Sequence, residues 1–112
     1  MSDPHAPTTV CPMIESAMGV LGRAWAGAVL QAMLGGSERF SEIRRAIPGI
    51  TDAALTTRLK ELCERGLAER AVEPGPPVVV RYTLTGAGRD TAPVLDALRA
   101  FADRHGDLLG RG

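Results

Sequence analysis

The chain has 112 residues, of which 45% are hydrophobic and 23% charged, and its formal net charge is zero. This length fits one globular domain and excludes two, and the balanced charge excludes a uniformly basic protein that coats nucleic acid. Two widely separated cysteines exclude a disulfide-built secreted domain, and no Cys-x-x-Cys or His/Cys cluster indicates a metal site.

Residues 1–10 are polar and contain two prolines, which predicts a flexible arm ahead of a single domain over residues 11–112. The arm lacks the basic and apolar regions of a signal peptide, and no apolar stretch has the ~20 residues of a membrane span. We therefore expect a cytoplasmic location and no membrane partner. No catalytic triad, metal cluster or phosphate loop is visible, so we expect neither an enzyme nor a cofactor.

Apolar residues recur at helical spacing in four consecutive segments, over residues 11–22, 24–34, 41–47 and 52–65. Pro12 suits the first turn of the first segment, and Ser41 is a candidate N-cap of the third. Thr51 is a good N-cap for the fourth segment, which Gly66 ends.

Two strands and a last helix follow. Alternating and β-branched residues predict strands over 67–73 and 78–84, joined by a turn at the proline-rich residues 74–77. A final helix is predicted over 86–109, capped by Thr85, with a kink or a late start at Pro93. The expected fold is mainly α with a two-stranded β wing: a winged helix-turn-helix whose extra N- and C-terminal helices need a partner surface.

The charge is unevenly distributed along the chain. Residues 39–60 carry five basic and two acidic residues, which gives +3, and the rest of the chain sums to −3. The excess coincides with the two predicted helices of the helix-turn-helix, where a DNA-binding protein needs cations to neutralise phosphates. An ordinary solvated surface would explain the charge alone equally well.

A helical wheel of the fourth segment separates a leucine face from a polar face of small and hydrogen-bonding side chains. The candidate DNA-reading residues on this helix are Ala53, Ala54, Thr56, Thr57, Arg58 and Lys60. Arg58 lies between the two faces, so binding to phosphate and pairing with an acidic neighbour are equal alternatives.

Further cations flank this helix. The candidate phosphate contacts are Arg39, Ser41, Arg44 and Arg45. In the hairpin, Arg70 and Arg81 are candidate wing contacts with DNA, and cross-strand pairing with Glu69 or Glu73 is at least as good an explanation for them.

Several of these segments together resemble the HxlR family, a branch of the MarR-like winged-helix transcriptional regulators. The residues that carry the resemblance are Cys11-Pro12, Leu21–Trp25, Arg39–Ile50, Leu55–Leu62, Gly66-Leu67, and Pro76-Pro77 ahead of Tyr82–Thr85. The resemblance implies a homodimer formed by helix 1 and the C-terminal helix. Each subunit would present its fourth helix to a major groove of double-stranded DNA, at a roughly palindromic operator.

The resemblance also implies a role for Cys11, because some members use an N-terminal cysteine as a redox or electrophile sensor. A cysteine ahead of a helix can have a lowered thiol pKa. The alternative, a small apolar residue at the dimer interface, is favoured because a second cysteine near the C-terminus is absent. We expect Cys63 to serve packing.

Trp25 and the methionines after Met1 are expected in the core, although a cleft beside Trp25 could admit a small apolar effector. Neither His5 nor His105 has an acid or a nucleophile arranged around it.

The predicted function is therefore a dimeric, sequence-specific DNA-binding regulator, a repressor released by a small-molecule or redox/electrophile signal. The alternative is a winged-helix protein-interaction module without DNA binding, which the acidic residues Glu61, Glu64 and Glu69 would favour.

Overall fold

The computed structural model describes residues 9–110, so most of the expected N-terminal arm, His5 included, lies outside the described residues. The helices are α1 (Pro12–Leu21), α2 (Ala26–Leu34), α3 (Phe40–Ala46), α4 (Asp52–Glu64), α5 (Gly86–Arg89) and α6 (Ala92–His105), followed by a 3-10 turn over Gly106–Leu108. The strands β1 (Ala68–Glu73) and β2 (Val79–Leu84) form an antiparallel hairpin between α4 and α5. The winged-helix architecture predicted from the pattern is confirmed.

The core lies between α2, α3, α4 and the base of the hairpin. Leu30, Ile43, Leu55 and Leu59 are almost completely buried there, and Leu95 from α6 closes one side. Burying these aliphatic side chains is the main favourable term that fixes the three helices against one another. The core therefore holds α3 and α4 rigidly, with the rest of their surfaces facing outward.

The predicted signals for α4 are confirmed. Thr51 Oγ1 accepts a hydrogen bond from the backbone N–H of Ala54 at 3.1 Å, which is an N-cap. Gly66 follows the helix with φ of +79°, a left-handed conformation that glycine adopts without steric cost.

The predicted cap of α3 is wrong. The helix begins at Phe40, so Ser41 lies inside the first turn and cannot be the N-cap. The carboxylate of Glu42 accepts the backbone N–H groups of Glu38 and Arg39, both at 3.1 Å. These charge-assisted bonds satisfy the backbone N–H groups at the N-cap and just before it, which have no partner within the helix.

Helix α2 begins two residues later than predicted, and Trp25 is not a core residue. Its backbone is left-handed, with φ of +69°, and its side chain is 40% exposed. The N–H of Ala26 donates to the carbonyl of Arg23 at 3.0 Å, closing a turn that bends the axis of α2 by 77° from that of α1. This bend moves Trp25 out of the helical face that it would share in a continuous helix.

The predicted C-terminal helix is two helices, and the late start at Pro93 is confirmed. Proline lacks the N–H that a continuous helix needs, so α6 restarts at Ala92. Thr91 Oγ1 donates to the Gly88 carbonyl at 2.6 Å, and a side chain at Gly88 would collide with the Leu67 carbonyl. The break therefore packs closely against the end of the hairpin.

Helices α1 and α6 carry apolar residues that are not buried. No residue of α1 is buried, and Met13, Ile14 and Met18 are all well exposed, Met13 at 79%. Among the methionines in the described residues only Met33 lies in the core, so the prediction of core methionines is wrong for Met13 and Met18 in this single chain.

No helix in residues 9–110 is by itself long and apolar enough to cross a membrane, although α1 and α2 would pass on length and composition if counted as one bent pair.

Candidate nucleic-acid interface

Helix α4 has a buried face of leucines and an exposed face of small and polar residues. Leu55, Leu59 and Leu62 are buried, whereas Ala53, Thr56, Thr57 and Lys60 of the same helix are exposed. Ala54 is half-buried and packs against the core, so it does not belong to the exposed face. The helical wheel therefore located the exposed face correctly and Ala54 at its flank, and a role of Ala54 in DNA reading stays a prediction.

Thr57 makes a local hydrogen bond. Its Oγ1 donates to the Ala53 carbonyl at 2.9 Å within the helix. With its proton used in this way, the hydroxyl remains an acceptor, and its methyl group is an apolar contact point. This chemistry suits base edges that present an amino group or the thymine methyl.

Arg58 pairs with an acidic neighbour, which is one of the two alternatives that the sequence left open for it. Its Nη1 lies 3.1 Å from Glu61 Oε1, and its side chain is only 15% exposed. Glu61 also faces Arg23 Nε at 3.8 Å, so this carboxylate lies between a cation of α4 and one of the α1–α2 turn. Arg58 is therefore engaged with protein, unlike Lys60, and its assignment as a DNA-reading residue has no support in this arrangement.

The candidate phosphate contacts on and before α3 separate into two kinds. Arg44 Nε lies 2.7 Å from Asp52 Oδ1, so its charge is paired with the first residue of α4. Arg39 and Arg45 are exposed and form no ion pair within residues 9–110, and Ser41 is exposed beside them. The unpaired cations on and before α3, within the described residues, are thus Arg39 and Arg45.

The wing contains one engaged and one free arginine. Arg81 Nε binds Glu73 Oε1 at 2.6 Å, and Arg81 Nη1 binds Glu38 Oε1 at 3.2 Å. Of the two cross-strand partners considered for Arg81, the structure therefore shows Glu73 and not Glu69. The hydrogen bond to Glu73 is the main cause that raises the pKa of Arg81. Arg70 is exposed and forms no ion pair in the described part of the chain.

The sequence analysis missed Asp52 and Glu38 as partners of these arginines. Asp52 could have been found, because an acidic first residue of a helix next to a basic preceding helix is a local signal. Glu38 lies 43 residues from Arg81, and no local pattern connects them.

Trp25 lines an open cleft of about 540 Å³ between α2 and the end of α3. Small side chains such as Ala28, Ala32 and Ala46 form much of the wall, and the indole lies close to Gly49 in the α3–α4 turn. An effector site here stays a prediction.

The two cysteines have different surroundings. Cys11 is exposed and directly precedes α1, and its side chain caps no backbone N–H. Cys63 is half-buried, and desolvation raises the pKa of its thiol, with Arg70 opposing that effect. Within residues 9–110 no three His, Cys, Asp or Glu side chains are grouped so that they could hold a metal ion.

Comparison with known proteins agrees with this geometry. Residues 20–108 match the family described as HxlR-like helix-turn-helix. The HTH-type transcriptional regulator YodB of Bacillus subtilis (strain 168) is 42% identical over 96 residues, which is 86% of this chain and 86% of YodB. The uncharacterized HTH-type transcriptional regulator YvaP of the same strain is 39% identical over 93 residues, or 83% of this chain and 86% of YvaP.

Solved structures of helix-turn-helix regulators are also similar to this chain. The reduced form of YodB from B. subtilis has a TM-score of 0.77 and 40% identity, covering 87% of this chain and 95% of YodB. The redox regulator HypR in its reduced form has a TM-score of 0.78 and 34% identity, covering 87% of this chain and 96% of HypR. YodB has also been solved diamide-treated and quinone-bound. With its family match, its exposed fourth helix and its wing, this chain belongs to the HxlR family of helix-turn-helix transcriptional regulators.

Proposed function

We propose that this chain acts as a homodimeric, sequence-specific DNA-binding repressor that a redox or electrophile signal releases from its operator. The observation that carries the proposal is the exposed face of α4, formed by Ala53, Thr56, Thr57 and Lys60, with exposed arginines before it in the chain (Arg39, Arg45) and after it (Arg70). Because the positive charge is confined to this region, binding would depend on one surface rather than on overall attraction.

The exposed face of α4 suits a major groove. Ala53 has a short side chain near the N-terminus of the helix, which lets the backbone come close to base edges. Thr57 accepts hydrogen bonds or contacts a thymine methyl, and Lys60 reaches guanine or phosphate. Arg39, Arg45 and Arg70 would bind phosphates on either side and fix the orientation of the helix.

The uncovered helices support a dimer. A 10-residue helix such as α1 is marginal in water by itself, yet none of its residues is buried in the single chain. Helix α6 adds Leu98 and Phe101, which are likewise exposed. A second copy covering α1 and α6 would bury both faces and relate two α4 helices by a two-fold axis, which requires a roughly palindromic operator.

Cys11 is the proposed sensor. It is the exposed thiol of the pair, and it directly precedes α1, which the dimer would bury. Oxidation or alkylation of this thiol would change the packing of α1 and hence the spacing of the two α4 helices. Relatives solved in reduced, diamide-treated and quinone-bound forms support this signal class. A small apolar effector in the Trp25 cleft is the second route to release.

The experiment is a fluorescence-anisotropy titration of the purified protein on DNA from upstream of its own gene, over a range of salt concentrations. We expect the double variant Thr57→Ala with Lys60→Ala to lose at least about tenfold in affinity for the operator while keeping its melting temperature. The control Arg89→Ala removes one positive charge from α5, outside both the exposed face of α4 and the proposed dimer surface, and should leave the affinity unchanged.

Retention of full specific affinity by the double variant would refute the role of α4. Failure of the wild-type protein to distinguish operator from unrelated DNA would favour a protein-interaction module instead. For the signal, diamide or a quinone should weaken binding of the wild type at least about tenfold and leave Cys11→Ser unaffected; an equal response of both proteins would refute Cys11 as the sensor.

A further inference from the structure

Arg81, halfway along β2, joins three segments of the chain. Its Nε binds the carboxylate of Glu73 on β1 at 2.6 Å, and its Nη1 binds the carboxylate of Glu38 at 3.2 Å. Glu38 lies in the loop between α2 and α3, outside the hairpin. One guanidinium on β2 therefore holds both the opposite strand of the wing and the segment that leads into α3.

A backbone hydrogen bond lies next to this side-chain bridge. The N–H of Tyr82 donates to the Glu38 carbonyl at 2.7 Å. Glu38 in turn donates its own N–H to the carboxylate of Glu42 in the first turn of α3, at 3.1 Å. The wing is thus connected to the N-terminus of α3 through Glu38, by a side-chain bond and a backbone bond in parallel.

Without this connection, the tip of the hairpin has few internal constraints. A two-stranded hairpin is marginally stable by itself, and most of β1 beyond Ala68 is exposed, including Val72. The core holds the hairpin at Ala68 and Leu84, at one end of the ladder, and at the partly buried Tyr82, but not at the residues nearer the tip. A connection halfway along β2 therefore restricts the angle at which the tip extends.

The same contacts make Arg81 a poor phosphate ligand. Two carboxylates neutralise its charge, and its Nε and Nη1 donors are already engaged. Arg70 on β1 forms no ion pair within residues 9–110 and has its full charge available for a phosphate.

We propose that Arg81 is a positioning residue: with Glu38 it fixes the wing relative to α3, so that Arg70 meets the DNA backbone when α4 enters the major groove. The proposal rests on the DNA-binding function proposed above. A wing held in its bound orientation loses less conformational freedom on binding, which raises affinity without adding a DNA contact.

The first test uses Glu38→Gln, because the loss of a negative charge and the loss of wing positioning would change the operator affinity in opposite directions. Removing a negative charge from a DNA-binding protein strengthens or preserves its attraction to phosphates. If Glu38 positions the wing, the variant instead binds the operator about fivefold to tenfold more weakly. The matched control is Glu69→Gln, which makes the same charge change on β1 at a residue with no ion pair in the described chain, and which should bind like the wild type.

The salt dependence of binding distinguishes positioning from a direct contact. Arg81→Ala should lower operator affinity with the slope of log affinity against log salt unchanged. Arg70→Ala should reduce that slope by about one, because it removes a phosphate contact. A slope reduced by about one in Arg81→Ala would show that Arg81 binds phosphate, and would overturn the proposal.

A second readout needs no DNA. The exchange rate of the Tyr82 amide, measured by NMR, reports the backbone bond to Glu38 directly. We expect exchange at least about tenfold faster in Glu38→Gln and Arg81→Ala than in Glu69→Gln. Unchanged exchange in both variants would overturn the proposal even if DNA binding were altered. Faster exchange in a protein that shows no operator preference would instead refute the DNA-binding function and leave the wing connection established.

Discussion

Arg44 near the end of α3 and Asp52 at the start of α4 form an ion pair, with Arg44 Nε 2.7 Å from Asp52 Oδ1. Both side chains are more than half exposed, so solvent screens the attraction and the pair contributes little to stability. Its importance lies in its place, because it neutralises one of the cations nearest to the face of α4 that we propose enters the major groove.

Replacing Asp52 with asparagine should release this cation. We expect Asp52→Asn to bind non-specific DNA several-fold more tightly and to steepen the salt dependence by about one, because Arg44 becomes free for phosphate. The variant also loses the favourable interaction of a carboxylate with the N-terminus of α4, which is worth about 0.5 kcal/mol at an exposed site. Asp96→Asn on α6 makes the same charge change and should alter neither quantity. An unchanged salt slope in Asp52→Asn would show that Arg44 does not bind phosphate.

Phe101 should be needed for dimer formation. Its side chain is 54% exposed on α6, where its ring lies 5.0 Å from that of His105 between centroids. We expect Phe101→Asp to weaken dimerisation by at least about a hundredfold, because each interface would bury two carboxylates instead of two rings. Sedimentation equilibrium measures the change. Val72→Asp, on the similarly exposed wing, should remain dimeric, and a dimeric Phe101→Asp protein would exclude α6 from the interface.

The two thiols should differ in reactivity. Burial raises the pKa of Cys63, which lowers its thiolate fraction at neutral pH, whereas Cys11 is exposed. We expect a disulfide reagent such as DTNB to modify one thiol per chain at least about tenfold faster than the other, and Cys11→Ser to abolish the fast phase. Two thiols reacting at equal rates, or a fast phase retained in Cys11→Ser, would contradict this assignment.

Glu42 should make stability depend on pH. The backbone N–H groups of Arg39 and Glu38 hold the pKa of its carboxyl below its usual value of 4.5. A folded-state pKa below the unfolded one stabilises the protein above the unfolded pKa, and this contribution is lost as pH falls through the lower value. Glu42→Gln should therefore melt at a lower temperature at neutral pH, and the gap should narrow as the pH falls from 4.5 through the lowered pKa. Thermal unfolding of both proteins across this range measures it, and a gap independent of pH would contradict the assigned cause.

Local signals were sufficient for the part of the fold that carries the candidate site. Thr51 and Gly66 mark the ends of α4 because capping and left-handed termination depend on the residue itself. The spacing of Leu55, Leu59 and Leu62 then determined which face is exposed. The winged-helix order and the exposed face of α4 could be predicted on this basis.

The rest depends on tertiary packing. A bulky aromatic residue rarely adopts positive φ, so nothing in the sequence around Trp25 predicts the bend after α1. Likewise, Glu73 could be named as a partner of Arg81 but Glu38 could not, because Glu38 comes close only when the wing packs beside the start of α3. An ion pair between residues so far apart in the sequence depends on the fold and produces no periodic pattern in the sequence.

The most direct test of the account is selection of DNA from a random pool by the purified wild-type protein, followed by sequencing of the bound fraction. A dimer that presents two α4 helices should enrich inverted repeats whose half-sites are centred roughly one helical turn, about 10 base pairs, apart. Enrichment of such repeats that disappears with Thr57→Ala plus Lys60→Ala is the predicted result. No enriched sequence, or the same repeats bound equally by that variant, would contradict it.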